Sequence, residues 1–252
     1  MNQIHNASTQ GTLVNTRAAV DEGLRAYMVR VYNYMAGGIF LTGLVAYLTF
    51  SAALIERGDP GGQGLTSFGQ LLFNSPLKWV VMLAPLGCVF FLSARVNKMN
   101  VGAAQIAFWL FAALMGLSLS SIFLIYTGQS ITRVFFVTAA AFGALSIYGY
   151  TTKRDLSGWG TFLIMGVIGI VLASLVNLWL RSSAMQFALS VVGVLVFAGL
   201  TAHDTQRIKG IYYEVRDDIV ATSKAAIMGA LSLYLNFINM FIMLLSLFGR
   251  RN

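Results

Sequence analysis

Charge is what this chain has least of. Asp, Glu, Lys and Arg together make up 10% of its 252 residues, against about 25% in an ordinary soluble domain. There is one cysteine, Cys88, and there are three prolines. A single cysteine excludes a disulfide scaffold, a thiolate metal site and a CxxC redox pair. No H-E-x-x-H and no G-x-S-x-G occurs, so the zinc-protease and nucleophile-elbow signatures are missing. Of the two histidines only His203 lies beside an apolar run. An intramembrane serine hydrolase would need a serine and a histidine in company, so no enzyme, no cofactor and no resident metal are expected. What is abundant is apolar surface. The chain is 57% hydrophobic and its mean hydropathy is +0.73. That excludes a soluble globule and a disordered chain. It also excludes a nucleic-acid binder, despite the net charge of +8.

The apolar residues fall into seven runs of the length a spanning helix needs, about 20 residues. They are 31–55, 79–94, 103–126, 134–150, 158–180, 185–202 and 225–248. The ten-residue alternation of a membrane β-barrel does not occur. Backbone in lipid must satisfy its own hydrogen bonds, so the runs predict helices. The fold class expected is an all-α, polytopic membrane protein with the lipid bilayer as its solvent. Residues 31–252 form the seven-helix membrane domain. Residues 1–30 form a polar tail without a signal-peptide pattern. Part of it, Ala18 to Arg30, could lie as an interfacial helix with Leu24, Tyr27 and Met28 on one side, or could fray. Between the first two spans, ERGDPGGQGLTSFGQLLFNSP reads as a loop.

Lys and Arg give the orientation. With the N-terminus inside, the inner segments hold Arg17, Arg25, Arg30, Arg95, Lys98, Lys153, Arg154, Arg207, Lys209, Arg216 and Lys224. The outer ones hold Arg57, Lys78, Arg133, Arg181, Arg250 and Arg251. Eleven against six favours a cytoplasmic N-terminus and, with seven spans, an outer C-terminus. The terminal Arg250–Arg251 pair pulls the other way, a conflict that a seventh helix stopping short would relieve.

Ionisable groups inside a span cost roughly 2.5–3.5 kcal/mol on insertion scales and usually mark function. The spans are nearly free of them. The exception is the end of the sixth, AGLTAHDTQRIKG. If that helix runs to Lys209, Asp204 lies about 7–8 Å inside its end and needs a partner. Arg207, three residues on, could pair locally. Arg95, ending the second span on the same face, is either a snorkelling anchor or the counter-ion. The seventh span adds Ser232, Asn236 and Asn239 on one face. These either bridge helices by hydrogen bonds or line a polar path. Asn177 in the fifth span could join either network.

Four stretches together resemble the Bax inhibitor-1 family, also called the transmembrane Bax inhibitor motif family, in its bacterial branch. They are AHDTQRIKG, ALSLYLNFINMFIMLLSLFG, YTTKRDLSGWGTFL and the lead into the first span, GLRAYMVRVYNYMAGGIFLTGLVAY. The resemblance covers nearly the whole chain from Asp21. It implies six helices around a central, C-terminal seventh, in a bacterial plasma (inner) membrane. It implies a pH-sensitive calcium leak in some members, and in some bacterial ones modulation of a membrane-bound protease. Carried onto this sequence, it makes Asp204, position 236 and Arg95 the gate, with Asp204 a transient calcium contact. In the calcium-leak members both helix positions hold Asp, a proton-sensing carboxylate pair onto which the arginine latches. Here position 236 is Asn. One carboxylate beside an amide lacks the repulsion that lets protons gate such a pair, so the departure puts the two-carboxylate switch in question and leaves the fold expectation untouched. His203 could titrate near neutral pH in its place, or simply be solvated at a helix end. The expected partners are lipid, calcium ions and a membrane-bound protease. The expected ion path or gate is Asp204, Arg95, Asn236, Asn239, Ser232 and His203.

Overall fold

The computed structural model describes the backbone of residues 2–56 and 63–252, with side chains from 20–55 and 64–252. Arg17 and Arg57, used in the charge count, fall outside the described side chains. The chain opens with one long helix, α1 (Asn2–Ala53), and a short hairpin of β1 (Leu54–Glu56) and β2 (Gln63–Leu65). Leu54 pairs with Leu65 and Glu56 with Gln63. Then follow α2 (Ser67–Asn74), α3 (Leu77–Arg95), a single 3₁₀ turn (Val96–Lys98), α4 (Val101–Leu119) and α5 (Ile122–Ile125). The last four helices are α6 (Gly128–Thr151), α7 (Ser157–Leu180), α8 (Ser183–Val215) and α9 (Ile219–Phe248). Among the described residues, seven segments are long and apolar enough to cross a membrane: α1 from Val20, α3, α4 with α5, α6, α7, α8 and α9.

Polar residues between the apolar runs start the helices. Asn100, Thr127, Ser182 and Asp218 each accept a backbone N–H from the first turn of α4, α6, α8 and α9, satisfying donors a helix start leaves unpaired. The loop expected after the first span contains the hairpin and α2, because Thr66 caps α2 through the Gly69 N–H at 2.9 Å. The expected boundary near residue 30 is not a break. α1 runs straight through it, and Leu24, Tyr27 and Met28 share one buried side. Tyr27 packs on Tyr212 with ring centroids 5.4 Å apart.

The C-terminal helix is the central one. In the most apolar 18-residue window of α9, 56% is buried, against 11% for α3 and 17% for α7. α9 packs against α8, α1, α6 and α4, while α3 lies on α4 and α7 on α8. Tyr234 of α9 is fully enclosed. Its hydroxyl meets Thr42 Oγ1 at 2.6 Å, and Thr42 donates to the Ala112 carbonyl at 2.8 Å. The polar tip is thus satisfied away from water, as a buried hydroxyl must be. α9 does not stop short. Its exit is tied to the α5–α6 turn, where the Thr127 N–H donates to the Arg250 carbonyl and the Arg250 N–H to Ser130 Oγ, each at 3.0 Å.

Candidate functional site

The sixth span runs past the expected end at Lys209, to Val215. The added turn carries Tyr212, whose packing on Tyr27 of α1 holds the extension in place. α8 therefore carries Asp204 eleven residues, about 16 Å, from its end. The seventh span also starts earlier, at Ile219. Counted from that start Asn236 is seventeen residues, about 26 Å, along α9, yet its side chain still reaches Asp204 across the seam.

Asp204 is 7% exposed. Its Oδ2 accepts from Ser232 Oγ at 2.7 Å and from Asn236 Nδ2 at 2.9 Å, both on α9. On the other side, Oδ1 lies 3.2 Å from His203 Nδ1 and 3.6 Å from Arg207 Nε. Arg207 reaches further, to Ser232 Oγ at 3.4 Å. A carboxylate withdrawn from water needs hydrogen bonds or an opposite charge, and here neutral donors supply most of the compensation. The guanidinium is more than half exposed, and its contact is too long for the bidentate pairing that makes arginine strong.

Of the residues expected to meet, Asp204, Asn236, Ser232 and His203 do. Asn239 turns to its own helix, donating to the Leu235 carbonyl at 2.8 Å. The expected latch between Arg95 and Asp204 is corrected. Arg95 is exposed, and among the described residues it makes no ion pair. The local partner Arg207, one helical turn from Asp204, occupies the position instead. His203 is held on its other edge by α7: a Cβ at Gly160 would lie 2.6 Å from His203 Nε2.

Three features lay outside the sequence expectations. Gln206 accepts the Leu156 N–H and donates to the Arg154 carbonyl, each at 2.8 Å, tying α8 to the α6–α7 loop. Lys209 donates to the Tyr150 carbonyl at 3.0 Å. A second polar cluster sits at the far ends of the helices. Asn177 Nδ2 donates to Gln186 Oε1 at 3.3 Å, Gln186 Nε2 to Ser246 Oγ at 3.4 Å, and Ser190 Oγ to Ser246 Oγ at 3.1 Å. Asn177 thus belongs to this cluster and not to Asp204. The signal for Ser246 was present, since the steps of four and three from Ser232 continue through 243 to 246.

A cavity of about 510 Å³ between α1 and α6 stands apart from Asp204, while one of about 370 Å³ between α6, α7 and α8 has His203 in its wall. Calcium takes 6–8 oxygen ligands, with carboxylates supplying the charge. The site offers one carboxylate that a hydroxyl and an amide N–H already engage as donors, far fewer free oxygens than a bound calcium ion takes.

The chain matches the family model described as inhibitor of apoptosis-promoting Bax1 over residues 24–252. It is 48% identical to the inner membrane protein YbhL of Escherichia coli K12 over 232 residues, 91% of this chain and 93% of that one. It is 45% identical to an uncharacterised protein of Rickettsia prowazekii over 240 residues, 95% and 96% of the two chains. An uncharacterised membrane protein of Streptococcus pyogenes is 37% identical over 233 residues, 92% and 96%. With a buried carboxylate held between its last two helices and relatives matched along almost their whole length, the chain belongs to the Bax inhibitor-1 family of integral membrane proteins.

Proposed function

We propose that this protein is no enzyme but a slow cation leak, with calcium as the ion, and that Asp204 is its inner contact and Arg207 its latch. The observation that supports this reading most is the Asp204 carboxylate: buried, in the seam of two spanning helices, and facing a counter-charge that is mostly in solvent. A charge at that depth is expensive, and one kept there marks a functional path more often than a structural need. A cation arriving from the Arg207 end competes with the guanidinium for Oδ1, while Ser232 and Asn236 hold the other carboxylate oxygen, Oδ2, by hydrogen bonds. The membrane is the bacterial inner membrane, where YbhL is named, with the N-terminus cytoplasmic. The test is calcium flux into liposomes holding the purified protein. Asp204→Asn is expected to abolish flux, and Arg207→Gln to raise it. Flux unchanged in both variants would overturn the reading.

A second reading, a regulator of a membrane-bound protease, is favoured by α1. That helix runs over 52 residues, well beyond the ~20 that a span needs. Removing residues 1–19 separates the two: a partner function is lost while flux persists.

A further inference from the structure

The seam between α8 and α9 has a regular register, and both of its ends are polar. Along α9, Ser232, Asn236, Asn239, Met243 and Ser246 follow at steps of four, three, four and three, which keeps them on one stripe. Along α8, Gln186, Ser190, Gly193, Phe197 and Asp204 lie on a stripe of the same kind, at steps of four, three, four and seven. The helices run antiparallel, and their contacts match step for step. Asp204 bonds Ser232 at one end. At the other, Ser190 bonds Ser246 at 3.1 Å. Between them Met243 sits on Gly193, where an added Cβ would lie 2.9 Å from its Cγ and 3.0 Å from its Sδ. The same register sets Phe197, which is buried, across from Asn239. Asn239 spends its amide N–H on the Leu235 carbonyl, which leaves the amide oxygen for the seam.

We infer that the α8–α9 seam is the cation path, with a second, outer cation-contact site at Ser190, Ser246 and Gln186, and with Met243 against Gly193 as the apolar barrier between that site and Asp204. This rests on the leak reading above and extends it to a site and a gate of its own. The two polar sites are fourteen residues apart on α8, about 21 Å, so together they cover most of a ~30 Å hydrocarbon core. Hydroxyl and amide oxygens replace part of an ion's water shell without trapping it. An apolar constriction between two such sites gates by excluding water. Gly193 matters because only a residue without a side chain lets Met243 seat across the seam. At rest the thioether closes the polar stripe where a serine would continue it.

The experiment uses the full-length protein in liposomes, with calcium as the probe and trapped calcein release as the control for damaged vesicles. Met243→Ser is expected to raise calcium flux about tenfold, the change that ~1.4 kcal/mol off a barrier produces, with no calcein release. Met243→Leu keeps the bulk and is expected to match wild type. Ser190→Ala with Ser246→Ala, added to Met243→Ser, is expected to remove most of the gain. Met165→Ser, on the exposed face of α7, checks that a serine in a span does not itself leak. If wild type conducts and Met243→Ser equals Met243→Leu, the seam inference is overturned and the leak reading stands. If neither wild type nor Met243→Ser conducts, both are overturned. A silent wild type that Met243→Ser opens, in a manner abolished by Asp204→Asn, supports the seam as the path and overturns a leak in the resting protein. A gain in Met243→Ser that the paired serine changes leave untouched overturns the outer site.

Discussion

At the scale of single residues, Asp204 is compensated by neighbours of very unequal kind. Asn236 is a buried donor at 2.9 Å and Ser232 a half-buried one at 2.7 Å, whereas Arg207 is a largely solvated cation at 3.6 Å. Ion pairs exposed to that degree contribute about 0–1 kcal/mol. Asp204→Asn should therefore leave thermal stability in detergent nearly unchanged while abolishing flux. A large drop in melting temperature would instead make the carboxylate a structural group. Asn236→Asp is the sharper probe. Its Nδ2 now donates to Asp204, and the substitution puts a second carboxylate at that contact. Two carboxylates sharing a site cannot both ionise freely, so the pair takes up a proton as pH falls. Flux through Asn236→Asp should change steeply across about pH 6 to 8, a range carboxylate pairing can reach, and adding Asp204→Asn should flatten it. A profile parallel to wild type would show that the two side chains do not couple. Where Arg207 and Arg95 compete for the latch, Arg207→Gln should raise flux and Arg95→Gln should not. Asp204 and its α9 donors were legible in the sequence because a carboxylate and an amide stripe stand out in apolar runs. The counter-ion was not. Both arginines sit near the same membrane face, and only the extension of α8 to Val215 shows how Asp204 is reached.

Between helices, close approach depends on positions without a side chain. At Gly149 of α6 an added Cβ would lie 2.3 Å from the Ala202 carbonyl oxygen of α8, against backbone that cannot rotate away. Gly143, six residues earlier on α6, has nothing within 4 Å of such a Cβ. Gly149→Ala should push α6 off α8, at the ~1–3 kcal/mol typical of overpacking. Gly143→Ala removes only the entropic cost of glycine in a helix, a gain of roughly 0.5–1 kcal/mol. Melting temperatures should move in opposite directions. A fall in both would mean that α6 bends at Gly143 for a reason these contacts do not contain. The α7–α8 turn makes the complementary case. Arg181 has φ 49°, in the left-handed region that L residues seldom occupy. Asn177 holds the turn by accepting the Ser182 N–H at 3.0 Å. The seven spans were readable from hydropathy, yet most of their ends were not. The third run breaks at Ser120 and Ser121, whose hydroxyls bond back to Leu117 and Ser118. The sixth and seventh extend through mixed polar stretches that hydropathy alone scores as loop. Those ends are set by caps and by contacts such as Tyr27 on Tyr212, which apolar counting does not see.

For the whole molecule, hydrogen bonds between connections sort the helix ends into two faces. Cross-links gather the start of the first span and three connections at one end: Arg30 to Ser223 at 3.3 Å, Lys224 to the Asn97 carbonyl at 3.1 Å, and Gln206 to the Arg154 carbonyl at 2.8 Å. The C-terminus is at the other end, bonded to the α5–α6 turn, with the Asn252 N–H donating to the Ile125 carbonyl at 3.0 Å. The Arg250–Arg251 pair therefore does not bend the topology. α9 runs on to Phe248, and the pair lies at the far end of the helices from Arg30, Arg154 and Lys224. Positive charge in short loops is retained on the cytoplasmic side, so the end bearing Lys98, Lys153, Arg154 and Arg216 should be cytoplasmic and Asn252 outside. Fusions test this without touching the gate. An alkaline phosphatase, active only outside the cytoplasm, should be active when joined after Asn252 and inactive when inserted at the 152–156 loop. A green fluorescent reporter should give the reverse. Activity of the phosphatase at 152–156 would invert the molecule in the membrane. Arg207 would then face outside, and cations would meet the latch from the external solution first.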